Sequence, residues 1–224
     1  MEQNLSNLIR PMSVVAQEAI NYISGRRDHS ITSLKTRWAK FNKQCMGGIE
    51  PNTVYTIAGI SGSGKSSFAN EISTDIVDLN PGEEIVILIF SLEMVGFRQV
   101  GRTLSSKLRK TTSTLYSSET DLDDDTFRKV ISVSNQLKEY PIWFVDNPTT
   151  PKEAEDIIKY FYNTYIKGTD KHFVIMYDHA LLTKPIGSVI ETMQELERVF
   201  ISAKKYPMTS VLQLAPVSYT HLRA

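Results

Sequence analysis

The chain has 224 residues, 25 Lys+Arg against 25 Asp+Glu, 41% hydrophobic residues and a single cysteine. Its formal net charge of zero excludes a global field that would draw it onto nucleic acid or an anionic membrane, so any such contact must come from a local patch. Cys45 alone excludes an internal disulfide, and neither a membrane-spanning run nor a signal-peptide pattern is present; a soluble, cytoplasmic α/β domain with a short appendage is expected.

Met12, Val15, Ala16, Ala19, Ile20 and Ile23 recur at helical spacing, and Pro11 suits a first turn. Gly25 to Ser30 interrupts the pattern, so residues 1–30 read as a helix and linker standing apart from the main domain. The apolar stripe of that helix needs a cover, either its own domain or a neighbouring subunit. Trp38, Phe41 and a Gly47-Gly48 turn then lead into an apolar run, Val54 to Ala58.

That run opens into Gly59-Ile60-Ser61-Gly62-Ser63-Gly64-Lys65-Ser66, and Phe68, Ala69, Ile72 and Ile76 follow at helical spacing. Strand, glycine-rich turn carrying Lys-Ser, and helix together make the phosphate-binding P-loop. The glycines let successive N–H groups converge on one anion, and the helix N-terminus adds partial positive charge. Gly59, Ile60, Ser61, Gly62, Ser63, Gly64, Lys65, Ser66 and Ser67 are therefore the expected nucleotide-binding residues. Lys65 is placed to reach the β and γ phosphates and Ser66 to offer its hydroxyl to Mg²⁺, so ATP and Mg²⁺ are the expected ligands.

After the turn Asn80-Pro81-Gly82, residues 84–90 form a continuous apolar run typical of a strand buried on both faces. Further strands are expected at residues 142–145, 172–177 and 210–214. Helical patterns at 151–167 and 188–206 each open on a capping box, Thr150 with Glu153 and Ser188 with Glu191. Residues 111–118, rich in Thr and Ser, read as a mobile loop. Asp121, Asp123, Asp124 and Asp125 read as a helix start rather than a metal cluster, since carboxylates suit the helix dipole. Phe161, Tyr162 and Tyr165 read as a core stripe. Alternating strands and helices predict a mostly parallel twisted sheet with helices on both faces, and ligands at the carboxyl ends of the strands.

Two carboxylates fall at such ends. His172 to Asp178 is an apolar strand closing on an acid, the Walker-B pattern, which puts Asp178 in the Mg²⁺ shell. Glu93, just after the strand ending at Phe90, could orient and deprotonate a water, although a Glu near a helix start is commonplace.

The tetrapeptide Ser91-Leu92-Glu93-Met94 behind a P-loop resembles DnaB-type replicative helicases of the RecA-like superfamily. Gly47-Gly48-Ile49, Asp178 and Val211-Leu212-Gln213-Leu214 extend the resemblance over roughly residues 12–215, and Asp178-His179 is similar to the phage branch of the family. The resemblance implies a RecA-like P-loop ATPase domain over residues 31–215 preceded by a linker helix that docks on the adjacent subunit of a hexameric ring. It implies catalytic roles for Lys65, for Glu93 as base and for Gln213 as γ-phosphate sensor, and a DNA-facing position for Lys184. The activity implied is ATP-driven translocation on single-stranded DNA during replication. Alternatives on the same fold are a recombinase or clock-type ATPase, and a slowly hydrolysing switch or loader. The family's arginine finger and second DNA loop should follow Gln213. Residues 216–224 instead resemble a translated sequencing adapter, so a truncated, hydrolysis-impaired chain with a non-native tail is expected.

Overall fold

The computed structural model describes residues 9–119 and 121–216. The chain divides into two compact units, with the boundary between Ser33 and Leu34.

The first unit is one helix and its return loop. Helix α1 (Met12–Arg27) starts after Pro11 and ends with Arg26 and Arg27 in its last turn, where cations suit the dipole. It runs past Gly25, where the sequence predicted a break. The reason is local: Gly25 has no side chain, and a Cβ there would lie 2.7 Å from the Ile31 side chain folded back on it. Ile31 N–H closes the return on Gly25 O at 2.9 Å, and Arg26 donates to Ser33 Oγ at 2.8 Å. The chain turns instead at Asp28–His29, with His29 at φ 62°. Met12, Val15, Ile20 and Ile23 are exposed.

In the second unit, a short helix α2 (Ala39–Gln44) precedes strand β1 (Val54–Gly59) and helix α3 (Lys65–Asp78). Then come β2 (Ile85–Ser91), α4 (Gly96–Leu108), α5 (Thr112–Tyr116), α6 (Asp124–Leu137), β3 (Ile142–Val145), α7 (Pro151–Tyr165) and β4 (His172–Asp178). A 3₁₀ turn (Ala180–Leu182), α8 (Val189–Ala203) and β5 (Thr209–Pro216) complete it. Five strands form one sheet in the order β1-β5-β4-β2-β3, and every pairing is parallel. The fold is thus the expected α/β class with a RecA-like parallel sheet.

Strand periodicity divides the core. On β2, Val86, Leu88 and Phe90 face α7 and α8 together with Phe173, Ile175 and Tyr177 of β4. Ile85, Ile87 and Ile89 face the other way, with Val174, Met176, Leu212 and Leu214, against Ala69, Ile72 and Ile76 of α3. Burial stabilises each layer by about 0.8 kcal/mol per CH₂, and because β2 and β4 are covered on both faces they read as unbroken apolar runs. Both expected capping boxes form: Glu153 N–H donates to Thr150 Oγ1, and Glu191 N–H to Ser188 Oγ, each at 3.2 Å. Asp123 caps α6, with Asp124 and Asp125 in its first turn.

Three expectations are corrected. Residues 112–116 are helical rather than loop, because Thr111 caps them and Tyr116 is anchored on α4. The Tyr116 hydroxyl donates to Phe97 O at 3.1 Å, and its ring fits only because Gly101 lacks a Cβ, which would fall 1.8 Å from the Tyr116 hydroxyl oxygen. The stripe Phe161, Tyr162, Tyr165 is not uniformly core: Phe161 is buried, Tyr162 stacks on Tyr206 at 4.2 Å, and Tyr165 is exposed beside Trp143 at 5.7 Å. Pro216, expected at the start of the tail, is the last residue of β5, in register with Gly59. The rest of the expected non-native tail, residues 217–224, lies outside the described residues.

Gly48 locks the segment ahead of β1. Its φ is 140°, and a Cβ would stand 2.1 Å from Leu34 O, where Leu34 and Ile49 form an antiparallel bridge. Gly48→Ala is therefore expected to destabilise the domain by about 1–3 kcal/mol. Urea unfolding measures this, and an unchanged midpoint would show that the bridge yields without cost.

Candidate active site

The site grows from the end of β1. The chain leaves the sheet at Gly59 and enters α3 through Gly64 at φ 88°, with Gly62 at φ 75°. A Cβ at Gly62 or Gly64 would meet nothing within 4 Å, so it is the left-handed backbone and not crowding that demands glycine there. Helix α3 has no side-chain cap and no acid in its first turn. Its leading N–H groups are thus left for an anion, in the direction the helix dipole favours. Lys65 Nζ donates to Gly59 O at 2.9 Å and Ile60 O at 3.0 Å, which holds the ammonium over the loop.

The loop forms one wall of a cavity of about 580 Å³. Ser61, Gly62, Gly64, Lys65, Ser66 and Ser67 line that wall, and Glu93, Arg102, His179, Leu181, Leu182 and Pro216 complete the lining.

Glu93 and Asp178 come together through sheet register. Ser91 of β2 pairs with Asp178 of β4, so both strands end at the same level. The next N–H, that of Leu92, donates to Asp178 O at 2.6 Å, which turns the chain and carries Glu93 over the loop. The Ser91 hydroxyl then closes the turn on Met94 O and accepts from Gln99 Nε2 at 2.7 Å.

Asp178 is 5% exposed. Burial pushes its carboxyl above the ordinary Asp range; the adjacent Ser66 hydroxyl acts in the opposite sense, and the Glu93 charge adds to the rise. Its Oδ1 is buried without a hydrogen-bond partner among the described residues. An orphaned carboxylate oxygen beside a serine hydroxyl at a phosphate cradle fits a Mg²⁺ ion, which takes one or two protein oxygens and completes its shell with water and phosphate. No group of three or more His, Cys, Asp or Glu arranged for a metal occurs among the described residues.

Not every expected residue arrives. Gln213 is 8% exposed and does not line the cavity; its amide donates to Thr56 Oγ1 at 2.9 Å and Glu197 Oε2 at 3.0 Å, on the face covered by α8. Lys184 also lies outside the cavity, half-exposed, 3.9 Å from Glu153. Sequence reasoning missed Arg102, which is half-buried at the cavity and makes no hydrogen bond or ion pair among the described residues. The signal was the inward stripe of α4: Gly96, Gln99 and Thr103 are buried, and Arg102 shares their helical phase. His179, Leu181 and Leu182 were missed because the 3₁₀ turn that presents them has no sequence periodicity.

The family model of the DnaB-like helicase C-terminal domain matches residues 33–206. Among solved structures, the ATPase domain of G40-P superposes with a TM-score of 0.74 at 16% identity, covering 93% of this chain and 73% of that one. The structure of a DnaB-like replicative helicase and its interactions with primase superposes with a TM-score of 0.72 at 15% identity. That alignment covers 92% of this chain but only 49% of the other, so the chain spans about half the length of that helicase. These likenesses are of fold. No curated protein sequence matches the chain.

The upward shift of Asp178 has a consequence for stability. A carboxyl whose folded pKa exceeds its unfolded value favours the folded state below the unfolded pKa, and that contribution is lost as pH rises through the folded pKa. Asp178→Asn removes the buried charge, so in metal-free protein its Tm should exceed that of the parent increasingly as pH rises through that range. Added Mg²⁺ should raise the Tm of the parent only. A Tm difference that does not vary with pH would show that Asp178 is solvated rather than buried.

Proposed function

We propose that this chain, which belongs to the DnaB-like helicase C-terminal domain family, is the ATP-hydrolysing motor core of a replicative DNA helicase. The observation that carries the reading is that Glu93 and Asp178, brought to one level by the register of β2 and β4, line a common recess with Ser66 of the phosphate loop.

In this reading the α3 N-terminus and Lys65 hold the β and γ phosphates of ATP, and Ser66 and Asp178 hold Mg²⁺. Bound Mg²⁺ neutralises charge on the phosphate oxygens. Glu93 accepts the proton of the attacking water, and Arg102 faces the same cavity as a cation for the charge that develops on the phosphate. Gln213 does not touch the cavity; it acts through Thr56 of β1 and Glu197 of α8, as a link between the phosphate loop's strand and the next layer. Subunits assemble as a hexameric ring around single-stranded DNA, with α1 docking on the neighbour, in a phage-type replication system working in the cytoplasm. Among the described residues no helix is long and apolar enough to cross a membrane.

Two substitutions separate binding from chemistry. Lys65→Ala should abolish nucleotide binding, because its ammonium is the charge held over the loop. Glu93→Gln should leave binding intact and lower the hydrolysis rate of the assembled helicase by about 10²–10⁴-fold. Equilibrium titration and single-turnover hydrolysis report the two steps; a Glu93→Gln enzyme with undiminished turnover would remove the proposed base.

Lys184 sits on the loop beyond β4, at the carboxyl ends of the strands, and is the DNA phosphate contact in this reading. Lys184→Ala should weaken single-stranded DNA binding equally for all sequences and reduce the salt slope by about one contact. An unchanged slope would make Lys184 a plain surface residue paired with Glu153.

A further inference from the structure

Glu93 is exposed, and its side chain makes no hydrogen bond or ion pair among the described residues. Its place at the recess it shares with Ser66 and Asp178 is therefore set by the backbone that carries it, the turn Ser91–Met94. A misplacement of about 1 Å can cost a catalytic group about 10²-fold in rate. Whatever fixes this turn thus bears on the chemistry.

Three hydrogen bonds hold it. Leu92 N–H donates to Asp178 O at 2.6 Å, and the hydroxyl of Ser91, a residue 1% exposed, donates to Met94 O across the turn. The third comes from outside: Gln99 Nε2 of α4 donates to Ser91 Oγ at 2.7 Å. An amide N–H can only donate, so it occupies a lone pair of the hydroxyl and leaves the hydroxyl proton for Met94 O. Gln99 thereby sets the direction of the bond that closes the turn.

The covered face of α4 makes the second, independent argument. Its buried residues are Gly96, Gln99, Gly101 and Thr103, with no buried apolar side chain among them. Gln99 is 7% exposed, a position where an unbonded amide is costly and an aliphatic side chain is the ordinary occupant. One turn on, Thr103 Oγ1 accepts from Asn70 Nδ2 of α3 at 3.0 Å. Two polar residues on one face of α4 therefore tie it to both halves of the site, Thr103 to the phosphate-loop helix and Gln99 to the turn that carries Glu93.

We propose that Gln99 is a positioning residue for hydrolysis: through the Ser91 hydroxyl it holds the Ser91–Met94 turn and so fixes Glu93 relative to the phosphate loop. This rests on the reading of Glu93 as the base. The Asn70–Thr103 bond makes α3 the reference for that position, so base and cradle keep their spacing through side chains as well as through the sheet.

Gln99→Met keeps the length of the side chain and removes the amide. In the nucleotide-free chain, backbone amides of residues 92–95 should exchange hydrogen about tenfold faster than in the parent, the size of one lost hydrogen bond, while those of α7 are unchanged. Single-turnover hydrolysis of Mg-ATP should slow by about 10–100-fold with affinity within about twofold of the parent. Glu93→Gln combined with Gln99→Met should be no slower than Glu93→Gln alone, because the two substitutions remove one and the same contribution. A further loss in the double variant, or parental exchange at residues 92–95, would overturn the proposal. Ser91→Ala breaks the same link from the other side and should reproduce both effects; it decides the matter if Gln99→Met lowers the Tm, and parental exchange and rate in it would also overturn the proposal. Failure of the underlying reading looks different: Glu93→Gln itself would turn over at the parental rate.

Discussion

The alignment of β2 with β4 is the constraint on which the site depends. Both strands are buried on both faces, and a one-residue slip would turn every apolar side chain of one strand to the opposite layer. Burial therefore fixes Ser91 opposite Asp178, and the Leu92-to-Asp178 hydrogen bond converts that register into a position for Glu93. The core that stabilises the fold and the spacing that brings the two acids together are one arrangement.

The other half of the site is electrostatic. A helix N-terminus without a side-chain cap, a lysine resting on two carbonyls, and Arg102, which has no ion-pair partner among the described residues, put positive charge around the phosphate loop. The buried Asp178 and nearby Glu93 give the opposite sign a few residues away. Asp178 Oδ1 is buried without a hydrogen-bond partner among the described residues. In the proposed reading a nucleotide and its divalent cation meet both halves, since a buried carboxylate without a partner costs free energy.

The outer elements show how small residues let large ones position the site. Gly101 admits the Tyr116 ring, which fastens α5 to α4, and α4 in turn carries Gln99 and Arg102. Gln99 reaches back to the Ser91 hydroxyl, so the helix is tied to the end of β2 by a side chain as well as by the turn. Helix α4 also packs against α3 and α6, so its cations are presented by an element held on several sides.

What the sequence by itself determined is everything whose cause is local. The P-loop follows from glycine φ angles and a Lys-Ser pair; the strands follow from apolar runs; the two capping boxes follow from side chains three residues apart. Asp178 was legible because an acid closing a buried strand has few other uses. Glu93 was legible only with the Ser91–Met94 pattern around it. Tertiary structure decided the rest. Residues 112–116 became helical through Tyr116 packing on α4, and Gln213 turned to Thr56 and Glu197 because strand parity puts it on the α8 face. Arg102 reaches the cavity only because α4 packs beside α3. Such groups carry no signature in the chain, since their roles come from which residues lie across a gap and not from which residues adjoin them.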